Sequence, residues 1–474
     1  MRDLAVVGSG IGGLAAALIA QSHGVRVTLF EAHATPGGSA GYFKRGPFVF
    51  DAGATTLSGL GPERPFGKFL QRLGIEVPVY DANPGIVYHL GRESFRHFRE
   101  PKGWAQELRR TFPGQNHERF FQHVEELAQK AWVFLPELQR FPPQSWQDLR
   151  ALPHWLKGTK LAPYMLMSLR QLMQLHFAPT EKFLSWVNAL CLISAQNHCQ
   201  QVPALIGALA LTYPQETWAP QGGMKGLFDQ LVNAFVERGG VYHPRTLVTK
   251  VSATPSGASV VLESGESHFD ASVLNLTDWA LERWGLRPKR AAPAWAALSA
   301  YLAVRSEAPI QELYHLVIDE AELGDYFVSF SHPTDRSRAP EGWQTLTLSQ
   351  HALAEDWEQL SPAEYQRKKE ERLAKLLAAV KSRFPQIRET KFATLGTPRT
   401  FAHYTQRPRG LVGGRPHLWS FPAWRWSGPR VSDNIFQVGD TVFPGQGLVG
   451  VVTGVQLWEK LVFREPNLQG RGRA

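Results

Sequence analysis

The sequence predicts an α/β protein: a Rossmann-type dinucleotide-binding domain interrupted by inserted α+β segments. Three observations predict it. Gly8-Ser-Gly10-Ile-Gly-Gly13 stands between a short apolar run and a helical stretch at the N-terminus. Glu31 follows Gly10 by 21 residues, at the end of a second apolar run. Further glycine clusters recur at 37–38, 222–226 and 439–447, and a fold that gathers them would set several tight turns around one ligand.

Leu4–Val7 reads as a strand, Leu14–Gln21 as a helix, and Val25–Phe30 as a second strand, which makes a βαβ unit. Gly8 allows the tight turn, Gly10 lets a pyrophosphate approach the backbone, and Gly13 lets the helix pack on the sheet. The helix N-terminus offers free N–H groups to phosphates. Glu31 would accept from ribose hydroxyls and repel a 2′-phosphate, so FAD or NAD is favoured over NADP. A Gly37-Gly38-Ser39 run follows that acid, and an NAD domain has no need of it. Downstream, Gly222-Gly223-Met224 opens a helix to about Glu237, and the chain continues through Gly239-Gly240-Val241 to a strand at Val248–Val251. Near the C-terminus, Asn434–Val438 reads as a strand ending at Gly439-Asp440. Phe443-Pro444-Gly445-Gln446-Gly447 then precedes a helix from Leu448 to about Val462.

Composition sets outer bounds. The chain has 474 residues, 43% hydrophobic and 20% charged, which is ordinary globular usage and excludes a disordered, collagen-like or coiled-coil chain. Two cysteines, Cys191 and Cys199, cannot build a disulfide framework or a four-ligand zinc site. No metal is expected, and a reducing compartment fits best. The apolar stretch after Arg2 is broken by Gly8, Gly10, Gly12 and Gly13, so it reads as a strand, turn and helix rather than a signal peptide. No apolar run is long enough for a transmembrane helix. The expected location is therefore cytoplasmic. A net charge of +9 favours anionic partners.

These segments resemble the carotenoid desaturase and isomerase family of FAD enzymes, which includes phytoene desaturases, carotene isomerases and retinol saturase. The resemblance rests on both ends, on 220–250, and on Thr397-Pro398-Arg399 followed by Tyr404, Gly410 and Gly413. It implies a Rossmann-type FAD-binding domain of the glutathione-reductase and amine-oxidase kind with an inserted α+β substrate domain. The FAD domain would draw on 1–75, 215–280 and 405–474, and the substrate and membrane-associating domain on 76–214 and 281–404. The cofactor is then FAD. Gly8, Gly10, Gly13, Glu31, Gly37, Gly38, Ser39, Val248, Gly439, Asp440, Gly447 and Leu448 would hold it. In that family the residue matching Val248 meets adenine through its backbone, and Asp440 would accept from a ribityl hydroxyl.

The implied substrate is a carotenoid or other polyene. Desaturation is the first reading: hydride to flavin, and a C–C bond becoming C=C. Cis–trans isomerisation and saturation share every visible motif, and Phe443–Gly447 looks most like the isomerase branch. A non-catalytic prenyl or lipid escort protein is the alternative of another class, and such a protein should have lost the C-terminal flavin segment. Amine oxidation would want an aromatic cage, for which only Trp424 and Trp426 offer themselves. His403, Tyr404, Asp278 and His198 are candidate proton-handling groups and Arg399 a substrate-orienting one, with no catalytic assignment among them. The electron acceptor, oxygen or a quinone, is not marked in the chain.

Between 139 and 180 stand Arg140, Arg150, Lys157, Lys160 and Arg170 against Asp148, interleaved with Trp146, Trp155, Tyr164 and Phe177. This pattern predicts peripheral attachment to an anionic membrane surface. Met165, Met167 and Met173 would line a slot for the polyene. No nucleic-acid motif accompanies the patch, so nucleic acid is not expected as a partner. Ser361–Glu364 is a capping box that opens a helix to about Arg383. Tyr365, Leu373, Leu376, Leu377 and Val380 form its buried stripe, and Lys368–Arg372 its solvated face. The end, 470–474, reads as a frayed tail.

Overall fold

The computed structural model describes residues 1–114, 117–289, 295–318, 323–420 and 426–463. The expected frayed tail and Trp424 lie outside them.

A five-stranded parallel sheet runs in the order Val241–His243, Arg26–Phe30, Asp3–Val7, Ala271–Leu274, Ile435–Gln437. Alternation along the first strand sets its two faces. Leu4 and Val6 pack with the helices Ile11–Ser22, Gly223–Glu237 and Leu448–Phe463. Ala5 and Val7 pack with an antiparallel sheet of Val248–Thr254, Gly257–Leu262 and Gly265–Phe269. The stretch at 241–243, expected only as a connection, is the sheet's edge strand, paired with Arg26–Phe30.

A seven-stranded mixed sheet follows the order Ile387–Gly396, Trp295–Ser306, Trp343–Leu353, Tyr326–Phe330, Tyr314–Ile318, Ile86–Leu90, Glu93–His97. Its first pairs are antiparallel, whereas Tyr314–Ile318 runs parallel to Ile86–Leu90. Leu298, Ala300, Leu302 and Val304 point to the helix Pro362–Arg383. Ala297, Ser299 and Tyr301, on the alternate face, line a cavity. The helices His117–Phe134, Glu181–Ala195 and Ala204–Thr212 close that cavity from another side.

The hairpin Tyr42–Arg45 and Phe48–Asp51 fastens the two sheets together. Phe48 and Phe50 pack with Tyr301, Ala303 and Trp343. Thr347 donates to Asp51 O at 3.1 Å, and Tyr314 to Thr55 O at 3.0 Å. Asp51 forms a buried ion pair with Arg338 at 2.9 Å and accepts from Met224 N at 2.8 Å.

The inserted segment differs from expectation. Met173 is fully buried among helices, Met165 and Met167 pack against the same core, and none is among the described residues lining the cavity. Apolar helix faces in the insert need partners, and unbranched thioethers fill the gaps between them. Trp155 turns inward, donating to Gln139 O at 2.8 Å with its ring edge-on to Phe141. Trp146 does stand out, at 89% exposure. Most other described tryptophans are core residues, Trp186 and Trp458 among them.

Candidate functional site: a two-armed cavity

One cavity of about 1610 Å³ lies between the parallel sheet, the seven-stranded sheet and the inserted helices. A single ligand site usually measures about 300–1,000 Å³, so there is room for a dinucleotide and a second molecule. Its walls differ in character. One arm is backbone-rich and polar, whereas the other is lined by Trp132, Leu135, Leu192, Ile193, Ile206 and Leu209 from the inserted helices.

The polar arm brings together Gly8, Gly10, Glu31, Gly37, Gly38, Ser39, Val248, Gly439, Asp440, Gly447 and Leu448. Gly13 stands behind the wall, where a Cβ would lie 1.9 Å from Gly8 O. Glu31 ends its strand with a carboxylate that is already oriented: Oε2 accepts from Ser9 N at 2.8 Å and Ser9 Oγ at 2.7 Å, and Oε1 from His33 N at 2.8 Å. A Cβ on Gly10 would meet Asn275 Nδ2 at 2.7 Å, so a side chain there would have to displace Asn275. Ser39 Oγ is buried and has no hydrogen-bond partner. A bare glycine cradle, an oriented acid and an orphaned hydroxyl on one wall fit a dinucleotide carrying sugar hydroxyls. Asp440 Oδ2 accepts from Arg407 Nη2 at 2.5 Å, and Arg407 Nη1 donates to Gly413 O at 2.8 Å. The sequence reading missed this arginine brace. The first turn of Leu448–Phe463 opens onto the cavity, with the positive end of its dipole toward it.

The proton-handling candidates separate. His403 and Tyr404 line the cavity but are exposed, and Tyr404 lies edge-on to His33 at 5.6 Å. They belong to an outer mouth beside the polar arm. His198 is exposed and is not among the described lining residues. Asp278 is a structural knot: its carboxylate accepts from Arg415 at 2.8 Å, Ser427 at 2.7 Å and Gln437 at 2.9 Å. Burial alone would raise that carboxyl, but the Ser427 hydroxyl and Arg415 hold it below the usual range. Arg399 anchors a turn, donating to Trp357 O, Glu358 O and Leu360 O at 2.7–3.1 Å and lying over the Tyr365 ring. Trp426 is buried against His417 and gives no aromatic cage on the cavity wall among the described residues.

His351 lines the cavity and was not singled out from the sequence. The signal was present as the alternation Thr347, Ser349, His351 along one strand face. Burial lowers its imidazole to about 4, which leaves it neutral and weakly basic at pH 7. A second revision concerns the helix Pro362–Arg383. Its capping box and buried stripe are as expected. Lys369, however, lines the cavity, and Arg372 is half-buried and donates to Leu323 O at 3.0 Å. Neither belongs to a solvated face.

Comparison with known proteins agrees with this geometry. The family model described as flavin containing amine oxidoreductase matches residues 11–445. Prolycopene isomerase of Arabidopsis thaliana is 27% identical over 95% of this chain and 81% of its own length. A lycopene-forming phytoene desaturase of Pseudescherichia vulneris is 25% identical over 98% of this chain and its whole length. All-trans-retinol 13,14-reductase of Danio rerio is 24% identical, covering 88% of this chain and 78% of its own. Among solved structures, putrescine oxidase aligns with TM-score 0.60 at 16% identity, over 96% of this chain and 97% of that one, a likeness of fold. The escort alternative is set aside, since the C-terminal segment stands intact on the cavity wall. The chain belongs to the flavin-containing amine oxidoreductase family, within its carotenoid desaturase and isomerase group, and is an FAD-dependent oxidoreductase.

Proposed function

We propose that this enzyme acts on a long carotenoid-type polyene, with cis–trans isomerisation as its reaction and desaturation as the second reading. The carrying observation is that apolar residues of the inserted helices line the same cavity as the glycine-rich wall that bears Glu31 and Asp440. The sequence alone put desaturation first. One point favours the other order. Relatives named prolycopene isomerase match at 26–27% over 95% of the chain. Desaturation keeps its place because the phytoene desaturase of Pseudescherichia vulneris matches over the full length.

When bound, FAD supplies reversible electron donation and acceptance. In this reading Gly8 and Gly10 admit the pyrophosphate, and Gly13 holds the helix that faces it. Glu31 accepts from the ribose, Gly37, Gly38 and Ser39 follow the pyrophosphate and ribityl chain, and Val248 meets adenine through its backbone. Gly439 and Asp440 take a ribityl hydroxyl. Gly447 and Leu448 present the last helix's N-terminus, which favours negative charge on the ring. The FAD domain is then 1–75, 215–280 and 405–474. Glu31→Ala is expected to weaken FAD by about 1–3 kcal/mol through the lost charged acceptor. Fluorescence titration of the apoprotein checks this, and unchanged affinity would remove Glu31 from the ribose site.

The insert supplies a surface suited to lipid. No described helix is long and apolar enough to cross a membrane. Val133, Trp146, Leu149, Leu152, Leu156 and Leu166 are exposed there, together with Arg150, Lys157 and Lys160. Arg140 is tied to Asp148 at 3.4 Å. Each exposed cation contributes on the order of 1 kcal/mol at an anionic leaflet. Replacing Arg150, Lys157 and Lys160 with Glu is expected to abolish sedimentation with acidic liposomes and leave the flavin spectrum intact. Unchanged sedimentation would place the membrane contact elsewhere.

The reaction itself is tested by incubating the flavin-loaded protein with phytoene, ζ-carotene, poly-cis-lycopene and a cis-polyene bearing a terminal aldehyde or carboxylate, and separating the products. Conversion of a cis substrate to trans isomers supports the proposal. Loss of none of the polyenes, with flavin present and reducible, would overturn it.

A further inference from the structure

The helix Pro362–Arg383 carries a cation where its packing calls for an apolar side chain. Lys369 lies four residues after Tyr365 and four before Leu373, so it falls in the middle of the stripe that Tyr365, Leu373, Leu376 and Val380 lay against the sheet. Its side chain reaches the cavity wall.

Three neighbouring cations are held by the protein itself. Lys368 donates to Asp356 O at 2.6 Å and lies over the Trp357 ring. Arg372 is bonded to Leu323 O and Gln350. Arg399 is spent on three backbone carbonyls. Lys369 lines the cavity, and among the described residues no hydrogen bond or ion pair holds its ammonium. Half-buried on the cavity wall, the Lys369 ammonium is available to an acceptor that a ligand brings into the cavity. Polar side chains accompany it, Ser349 and the neutral His351 among them, whereas the arm toward the inserted helices is hydrocarbon. The cavity lining therefore joins a polar part to a hydrocarbon part.

We propose that Lys369 receives an oxygen terminus of the substrate, so that the polyene ends in a carboxylate or carbonyl at this end and in hydrocarbon at the other. The inference rests on the polyene reading and narrows its substrate class. The test is a binding titration on the flavin-loaded protein, read from the shift of polyene absorption. The probes are a linear polyene hydrocarbon and its terminal aldehyde and carboxylate of equal length. The oxygenated probes are expected to bind about tenfold or more tightly than the hydrocarbon. A further gain for the carboxylate over the aldehyde identifies ion pairing, and equality identifies a plain hydrogen bond. Lys369→Met should erase the preference, and Lys369→Arg should keep most of it, both with unchanged flavin spectra. Equal binding of hydrocarbon and oxygenated probes, or a preference that survives Lys369→Met, would overturn the assignment while leaving the polyene reading intact. Binding of none of the three would overturn both.

Discussion

Gly13→Ala is expected to yield protein without FAD. The added Cβ would lie 1.9 Å from Gly8 O and 3.2 Å from Asn275 Cβ. Gly8 O belongs to the backbone turn between the first strand and the first helix, so no side-chain rotation relieves the contact. Overpacking usually costs about 1–3 kcal/mol, and a clash with fixed backbone lies at the upper end or beyond. Either the helix Ile11–Ser22 lifts from the sheet or the turn opens, and both movements spoil the floor under Gly10. The check is the ratio of flavin to protein absorbance after purification, alongside thermal unfolding. A variant with full FAD content and an unchanged melting temperature would show that the turn is looser than its geometry.

Arg338→Met should produce the second large effect, a loss of about 3–5 kcal/mol in stability, because it strands a buried carboxylate. The side chains of Asp51 and Arg338 are 2% and 9% exposed. Asp51 would keep its bond from Met224 N but lose its counter-ion, at the point where the two sheets are fastened. Burial already pushes the Asp51 carboxyl up, against the pull of Arg338. Without the arginine it rises further, so the folded variant binds a proton that the unfolded chain releases at neutral pH. That contribution is fully present below the unfolded carboxylate pKa and is lost as pH rises through the raised folded value. The deficit against the parent should therefore shrink from pH 7.5 to pH 5.5 in urea unfolding. A deficit below about 1 kcal/mol, or one that grows on acidification, would contradict this role for the pair.

The parts of the molecule that a local pattern encodes were legible in the sequence. Leu4–Val7, the glycine turn and Glu31 sit within one βαβ unit, and Ser361 with Glu364 marks its helix start without help from the rest of the fold. What stayed hidden depends on partners far along the chain. Asp278 looks like a free acid until Arg415 and Ser427 close on it. His351 sits on a polar strand face that faces a cavity rather than water. Lys369 looks solvated because charge runs usually are, yet it lines the cavity. The methionines of the insert suggested a slot, but they pack as filler in its hydrophobic core. The arginine brace on Asp440 spans 33 residues and no motif announces it.

The most direct measurement follows the flavin and the polyene together. Poly-cis-lycopene is mixed anaerobically, in excess, with fully FAD-loaded enzyme whose flavin has been reduced. The flavin spectrum is recorded while the polyene is separated by isomer and conjugation length. All-trans product of unchanged conjugation, formed over many turnovers while the flavin stays reduced, is the predicted result. Stoichiometric oxidation of the flavin with saturation of the polyene, or conversion only by the oxidised enzyme with a lengthened chromophore, would contradict it.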